Sequence, residues 1–551
     1  MNLLAGNLLQ SRWWPWRWDL RCPQVWLKSL CGMAVLFSCA QVLLFSFGRD
    51  QSIFAAVGEG ILNGEMPYRE RWDFKPPGIF LVYALAQGLF GKTMLGIRLL
   101  EVGGMLATAW LMVGLSRRFF ADVRPGYLAA AIACWVHAQM EFWHSGQPET
   151  FGGFLTIAGI YLSTTLGSTD RRQWVHWLAA GACFGFAFLL KPPLGGGAVV
   201  CAAYLVRKQQ LSGASLPRAS MPLWLLGAGS VLPIALCAGW FLLRGAWPEL
   251  RWTLFDFTPG YTRLSWGQNG IGALYFAFEC TFFKHSALIG LGSLAAFIGA
   301  PLSGRDREGI ALVGGVLAVH LSGIALQAKY YAYHFDATLP LAAIIAGVGW
   351  FKLWRPFARQ GGGGVVAFAA VLFLVGRARI PVSDVPEGYW TRSWERTRYW
   401  FGLSEQKTRE QLDERFHFVA DFNLAADRLV AERIRSLTSP NDPIFIWGFE
   451  PVIYWLSERP PASRFIYNVP QRAQWQREYA QGVLLAELTT RPPQVIVVQH
   501  HDYFAFVTGD ERDSKRSLEI FPELERQLQE EYTFVEQIED FEIYVRQPSH
   551  S

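Results

Sequence analysis

Residues 78–91 read GIFLVYALAQGLFG, and whether this run crosses a bilayer or lies at its edge decides how the rest of the chain is threaded. A helix needs about 20 apolar residues to cross hydrocarbon, so this run of 14 residues falls in the range of re-entrant or interfacial segments. Laid in the interface, it belongs to one long outer loop spanning residues 48–95. About eleven other stretches qualify or nearly qualify as spans, near residues 30–47, 96–115, 125–142, 148–166, 174–190, 194–206, 222–243, 283–302, 308–327, 335–353 and 362–378.

Basic residues near span ends favour the cytoplasmic side. With the N-terminus inside, Arg117, Arg118, Arg124, Asp170-Arg171-Arg172, Arg207-Lys208, Arg305-Asp306-Arg307, Lys352, Arg355 and Arg359 all fall in inner loops. The C-terminal part then lies outside. Arg12–Trp18, ahead of the first span, reads as an interfacial aromatic anchor rather than part of a cleavable signal. The expected location is the plasma (inner) membrane, multi-pass.

Charge divides the chain in the same way. Residues 1–378 hold 30 Lys+Arg against 17 Asp+Glu, and residues 379–551 hold 20 against 28, so the overall +5 combines parts of +13 and −8. With 51% hydrophobic residues and a mean hydropathy of +0.17, the chain is not disordered, and the first part has membrane-protein composition. The expected division is a cytoplasmic or interfacial segment 1–29, a membrane domain 30–378 and an extracytoplasmic α/β domain 379–551. All eight cysteines precede that last domain, which therefore needs no disulfides. There is no CxxC or HExxH pattern, no Walker loop and no GxGxxG between a strand and a helix. Nucleotide-driven transport lacks support, no nucleic-acid partner is expected, and no metal is assigned, although a divalent ion is chemically compatible.

The unusual polar residues gather in the outer loops. Residues 47–80 read FGRDQSIFAAVGEGILNGEMPYRERWDFKPPGIF. Ile53, Phe54, Val57 and Ile61 share one helical face, which predicts an amphipathic helix lying on the membrane with Asp50 at its start. An aspartate there caps a helix well; at the lipid boundary it can also take a proton from an incoming nucleophile. Asp73 and Lys75 precede Pro76-Pro77, which hold the lysine at headgroup depth, where an ammonium pairs with a lipid phosphate or simply reaches for water. Glu149 follows Pro148 in the first turn of a descending span, where the helix dipole favours an acid. Asp50 and Glu149 are expected on one side of the bilayer and can divide the work of base and acceptor-orienting group. Lys191-Pro192-Pro193, the Arg244–Lys284 loop and Lys329-Tyr330-Tyr331-Ala332-Tyr333-His334 read mainly as interfacial anchors.

The order of Asp50, an amphipathic helix, Pro67-Tyr68, Trp72-Asp73-Phe74-Lys75-Pro76-Pro77, Gly91 and Arg98 resembles the GT-C glycosyltransferases of the dolichyl-phosphate-mannose protein mannosyltransferase type, including bacterial aminoarabinose-transferase-like and lipopolysaccharide-core-transferase-like members. The likeness covers roughly residues 30–350. It implies a polytopic enzyme that moves a sugar, hexosyl or pentosyl, from a polyprenyl-monophosphate carrier to a lipid, glycan or protein acceptor on the outer face, with inversion at the anomeric carbon. It also implies that Asp50 is the base or acceptor-orienting acid, that Lys75 contacts the carrier phosphate and that Glu149 is the second-loop acid. The family's acidic pair is not repeated, since Arg49 and Gln51 flank Asp50, and this weakens a two-carboxylate metal site. Arg263 is nominated as a second phosphate-binding cation from its loop alone, and Asp73 as a substrate-binding neighbour.

In the C-terminal part, helical patterns cover 404–437 and 515–531. Residues 443–447 and 495–498 read as buried strands and 541–546 as an edge strand, giving a small α/β domain. Phe449-Glu450-Pro451 follows a strand where such folds often bind ligands. The competing reading is a transporter or lipid-handling membrane protein with an outer binding domain, which would be expected to place ionisable groups or broken helices near midmembrane.

Overall fold

The computed structural model describes residues 23–165, 170–298, 301–377, 387–416, 418–419 and 422–548. The Arg12–Trp18 anchor lies outside them. The chain begins with α1 (Pro23–Val42), α2 (Arg49–Leu62), α3 (Gly78–Phe90), α4 (Met94–Phe119) and α5 (Arg124–Gln139). It continues through α6 (Glu141–His144), α7 (Pro148–Ser163), α8 (Asp170–Leu190), α9 (Gly197–Leu211), α10 (Leu216–Leu243) and α11 (Trp247–Arg251). After α12 (Thr258–Gln268) and α13 (Ile271–Glu279), the bundle closes with α14 (Ala287–Phe297), α15 (Gly304–Gln327), α16 (Leu339–Ala358) and α17 (Gly361–Arg377).

Each of the eleven apolar stretches contributes a helix, but fewer have the dimensions of a span. Among the described residues six helices are long and apolar enough to cross a membrane, or seven if the pair Ile271–His285 and Ala287–Phe297, bent by 94°, counts as one. The expectation of about eleven crossings narrows accordingly. Two of the shorter helices show why: α5 and α7, of 16 residues each, are walled by other helices, so they carry His137, Gln139, Thr150 and Thr156 among their buried positions. Protein surroundings supply partners that lipid cannot. The lipid-facing sides are marked by exposed Leu36, Trp110, Trp224 and Leu236.

Close packing of α8 on α10 uses glycine: a Cβ on Gly181 would lie 2.3 Å from the Leu226 carbonyl oxygen. Gly78 does the same for α3. Its missing side chain lets the start of α3 abut Leu189 and Leu190, where a Cβ would come within 2.6 Å of the Leu189 backbone. That contact brings Lys75 and Lys191 to the same corner of the molecule.

The short α3 fits the non-spanning assignment of residues 78–91, whereas α2 departs from expectation. It is not a surface helix with a free polar face: Arg49, Gln51, Ser52, Ala55, Ala56 and Gly58 are buried together with Ile53, Phe54 and Val57. The C-terminal domain packs over the face that an isolated amphipathic helix would offer to water. Trp72, fully buried, is the main rivet. Its backbone N–H donates to the Arg464 carbonyl at 2.8 Å, its indole N–H donates to Thr253 Oγ1 at 3.0 Å, and its ring meets Phe257, Phe465 and Tyr467.

The C-terminal domain contains α18 (Gly388–Trp400), α19 (Arg409–Arg415), a two-stranded ladder of β1 (Phe418–Val419) and β2 (Phe422–Asn423), and α20 (Leu424–Leu437). Its sheet has the order β3-β4-β6-β5, from β3 (Ile444–Trp447), β4 (Val495–Gln499), β5 (Tyr532–Ile538) and β6 (Phe541–Arg546). β3 and β4 are parallel and wholly buried, as their unbroken apolar runs predict. β6 is an inner strand, flanked by β4 and β5, and not the edge expected from its alternation. The edge on that side is β5, whose exposed Thr533 and Gln537 and half-buried Glu536 hide it as a strand in the sequence. The helical pattern at 404–437 is likewise divided, into α19 and α20 with the ladder between them.

Candidate functional site

Tyr333, in the 3-10 turn entering α16, is the hub around which the loops after α1 and α5 converge. The Lys75 ammonium lies 5.2 Å from its ring centroid, the His144 ring stacks on it at 6.1 Å, and Tyr331 stacks on it at 5.7 Å. Asp50 and Glu149 are both close enough to act on Tyr333 electrostatically. The two carboxylates therefore lie within electrostatic reach of one tyrosine.

Asp50 sits in the first turn of α2, half-buried, and Oδ2 accepts a hydrogen bond from Gln147 Nε2 at 3.1 Å. Glu149, in the first turn of α7, is buried. Its Oε1 forms an ion pair with Lys191 Nζ and lies 3.8 Å from His334 Nε2, while Oε2 has no partner among the described residues. The Lys329 carbonyl accepts from His334 Nδ1 at 2.7 Å, which fixes the imidazole with Nε2 turned to the acid.

Lysines dominate the other side. Lys75, Lys191 and Lys329 act on one another electrostatically. Lys191 is matched by Glu149, but neither Lys75 nor Lys329 forms an ion pair among the described residues. Lys329 rests 3.4 Å from the Tyr261 ring centroid, a cation–π contact. Burial, then the Lys75 and Lys191 charges, pull the Lys329 ammonium well below the usual lysine range. Two uncompensated ammonium groups in a partly dry pocket favour an anion that offsets the cost of holding them there.

Asp73 is tied into the scaffold. It is 1% exposed, its Oδ1 accepts from Tyr467 Oη of the C-terminal domain at 2.6 Å, and its Oδ2 accepts from the Lys75 backbone N–H at 3.3 Å. Burial pushes its carboxyl up to about 6. Tyr68 Oη donates to the Lys75 carbonyl at 2.7 Å, so the lysine backbone is held from both sides. Arg263 is exposed on α12, two residues beyond Tyr261, and makes no ion pair among the described residues.

A chain of buried polar groups positions the second outer loop. The Arg98 guanidinium donates to Glu101 Oε2 at 2.7 Å and to the carbonyls of Ser46 and Phe142. His137 bridges Glu101 Oε1 at 2.8 Å and Asp336 Oδ1 at 3.1 Å, and Thr150 donates to Asp336 Oδ2 at 2.6 Å. Gln51 Nε2 adds a bond to the Ser145 carbonyl at 2.6 Å, and Arg396 of α18 grips Glu141 through two nitrogens at 2.9 and 2.6 Å. Each member is paired with another, so the cluster works as a brace.

The structure therefore brings Asp50, Glu149, Lys75 and Asp73 into one region and leaves Arg263 exposed on α12, without a contact to any of them among the described residues. Sequence reasoning placed Lys191, Lys329 and His334 in the aromatic belt, and the fold delivers them to the pocket. A signal was available for one of them, since Lys191-Pro192-Pro193 repeats the tripeptide Lys75-Pro76-Pro77. Glu101 and His137 were also legible as ionisable residues inside apolar helices. No group of three or more His, Cys, Asp or Glu side chains arranged for a metal occurs among the described residues.

Comparison with known proteins bears on the fold. Residues 74–240 match a family model of dolichyl-phosphate-mannose-protein mannosyltransferases. A curated relative, the undecaprenyl phosphate-alpha-4-amino-4-deoxy-L-arabinose arabinosyl transferase of Pseudomonas savastanoi pv. phaseolicola, is 26% identical over 183 residues. That match spans 31% of this chain and 31% of the relative, about a third of its length. The crystal structure of ArnT from Cupriavidus metallidurans in the apo state superposes with a TM-score of 0.58 at 13% identity, covering 95% of this chain and 98% of that one. The same protein bound to undecaprenyl phosphate gives 0.56 at 14% identity, with the same coverage. At these identities the likeness establishes the fold, a membrane helix bundle with a small C-terminal sheet domain, and the resemblance to the mannosyltransferase family is met by the match over residues 74–240.

Proposed function

We propose that this chain is a glycosyltransferase that moves a sugar from a polyprenyl-monophosphate carrier to an acceptor on the extracytoplasmic face of the inner membrane, with the N-terminus in the cytoplasm. The observation that carries this reading is the meeting of two lysines that form no ion pair among the described residues, Lys75 on the Tyr333 ring and Lys329 on the Tyr261 ring, with a proton acceptor, Asp50, within electrostatic reach of both tyrosines at the outer ends of apolar helices. Two relatives support it: one is an undecaprenyl-phosphate-linked arabinosyl transferase, and the ArnT of Cupriavidus metallidurans has been crystallised with undecaprenyl phosphate.

In the reaction, the bond between the anomeric carbon and the phosphate oxygen breaks as the acceptor oxygen or nitrogen bonds to that carbon from the opposite face. The bonding pair leaves with the phosphate, which gains negative charge, so Lys75 and Lys329 stabilise the transition state more than the ground state. The acceptor proton passes to Asp50, whose single amide hydrogen bond leaves an oxygen available. Glu149, neutralised by Lys191, orients the acceptor through its unpartnered Oε2. The sugar is a hexose or pentose, and the acceptor is a lipid, glycan or protein.

A transporter would use the buried ionisable groups Glu101, His137 and Asp336 as stations on a path. Their mutual hydrogen bonds close the cluster on itself and favour the enzymatic reading. Proteoliposomes supplied with polyprenyl-monophosphate sugars and an acceptor panel test the proposal, because transfer must depend on Asp50 and Lys75.

A further inference from the structure

Arg49 is an unusual neighbour for a catalytic acid. It occupies the first turn of α2, where the helix dipole disfavours a cation, and it is 4% exposed. Its partner comes from the other end of the chain. Arg49 Nε donates to Glu450 Oε1 at 3.2 Å, and Nη2 completes a buried ion pair with the same oxygen. The guanidinium also lies 5.0 Å from the Phe449 ring centroid and 4.8 Å from that of Phe504, both in the C-terminal domain.

Glu450 is itself fixed at the carboxyl end of the parallel strands. Gln499, the last residue of β4, donates from Nε2 to Glu450 Oε1 at 3.4 Å, and its own Oε1 accepts from the Phe449 backbone N–H at 2.7 Å. Asp427 of α20 is wholly buried next to Glu450, and neither of its oxygens has a hydrogen-bond partner among the described residues. Burial and the Glu450 charge push the Asp427 carboxyl well up, leaving Glu450 to match Arg49.

We propose that Arg49 is a positioning residue: its ion pair with Glu450 makes the C-terminal domain set the first turn of α2 and with it the orientation of Asp50. The outer domain is then an obligatory wall of the active site and not a separate binding module. This rests on the reading of Asp50 as the base.

The test is a double-mutant cycle on the full-length protein in proteoliposomes, following transfer from a polyprenyl-monophosphate sugar. Arg49→Met and Glu450→Gln each lower kcat by about 10- to 100-fold, the loss expected from a small misplacement of a reacting group, with the carrier KM held within about twofold. In an Asp50→Asn background the same substitutions change the residual rate by less than about twofold, because no base remains to be misplaced. Arg49→Lys keeps the charge and recovers part of the rate. Glu450→Gln keeps shape and a hydrogen-bond acceptor, so it carries the test if Arg49→Met does not accumulate. Full activity in Glu450→Gln, or losses that multiply with that of Asp50→Asn, overturns the proposal. Failure of the underlying reading looks different: Asp50→Asn itself turns over at the wild-type rate, which removes the base and the positioning role together.

Discussion

Two loops, one after α1 and one after α5, each bring one acid toward Tyr333 and hold it in opposite ways. In the first loop, Asp50 is half-buried and meets a single neutral donor, Gln147. In the second, Glu149 is buried and locked to Lys191, on a loop braced by Arg98, Glu101, His137 and Asp336. A carboxylate lightly held at the pocket edge is suited to gain and lose a proton, and one neutralised by a fixed ammonium is suited to orient a partner. The same residue type thus takes two roles from its surroundings.

Removing the proton acceptor breaks this contrast most severely. Asp50→Asn lowers kcat by about 10²- to 10⁴-fold in steady-state transfer assays, the range of general-base catalysis, with the carrier KM little changed. The first loop makes a second test available through Asp73, whose carboxyl burial raises from the ordinary aspartate range to about 6. A carboxyl raised on folding contributes stability that is full below about pH 4 and is lost as pH climbs through about 6. Asp73→Asn removes that loss, so the stability difference between variant and wild type shifts in the variant's favour by up to about 3 kcal/mol over this window in denaturation series.

Glu149→Gln probes the other loop. It lowers kcat by about 10-fold and leaves the carrier KM no higher, because Lys191 is released toward the phosphate. A drop as large as that for Asp50→Asn would erase the distinction between the two acids. The smallest effect is a pH dependence. A donor phosphodiester keeps one charge across the neutral range, while Lys329 is drawn down from the ordinary lysine range by burial, then by Lys75 and Lys191. Donor affinity therefore weakens several-fold as pH rises through the Lys329 titration, and Lys329→Arg abolishes the trend, as calorimetric titration with a non-transferable donor analogue measures.

Much of this was legible in the sequence because hydrocarbon imposes strict rules. Apolar run length separated α3 from the spans, and the clustered polar residues of the first loop marked the pocket. The runs at 125–142 and 148–166 were harder, since composition alone does not tell a helix facing lipid from one enclosed by its neighbours. Lys329 and His334 read as belt residues because interfacial solvation and substrate binding select the same side chains at the same depth. The contact of Arg49 with Glu450 joins positions 401 residues apart and leaves no periodic trace in either segment. α2 looked like a surface helix for the same reason: its second covering comes from the far end of the chain.

The most direct test of the central claim is sugar transfer by proteoliposomes containing wild type, Asp50→Asn or Lys75→Ala, offered a panel of polyprenyl-monophosphate sugars and envelope acceptors. The account predicts transfer by the wild type with at least one donor, a collapse of kcat in Asp50→Asn, and a raised carrier KM in Lys75→Ala. Undiminished transfer by both variants, or none by the wild type across the panel, would contradict it.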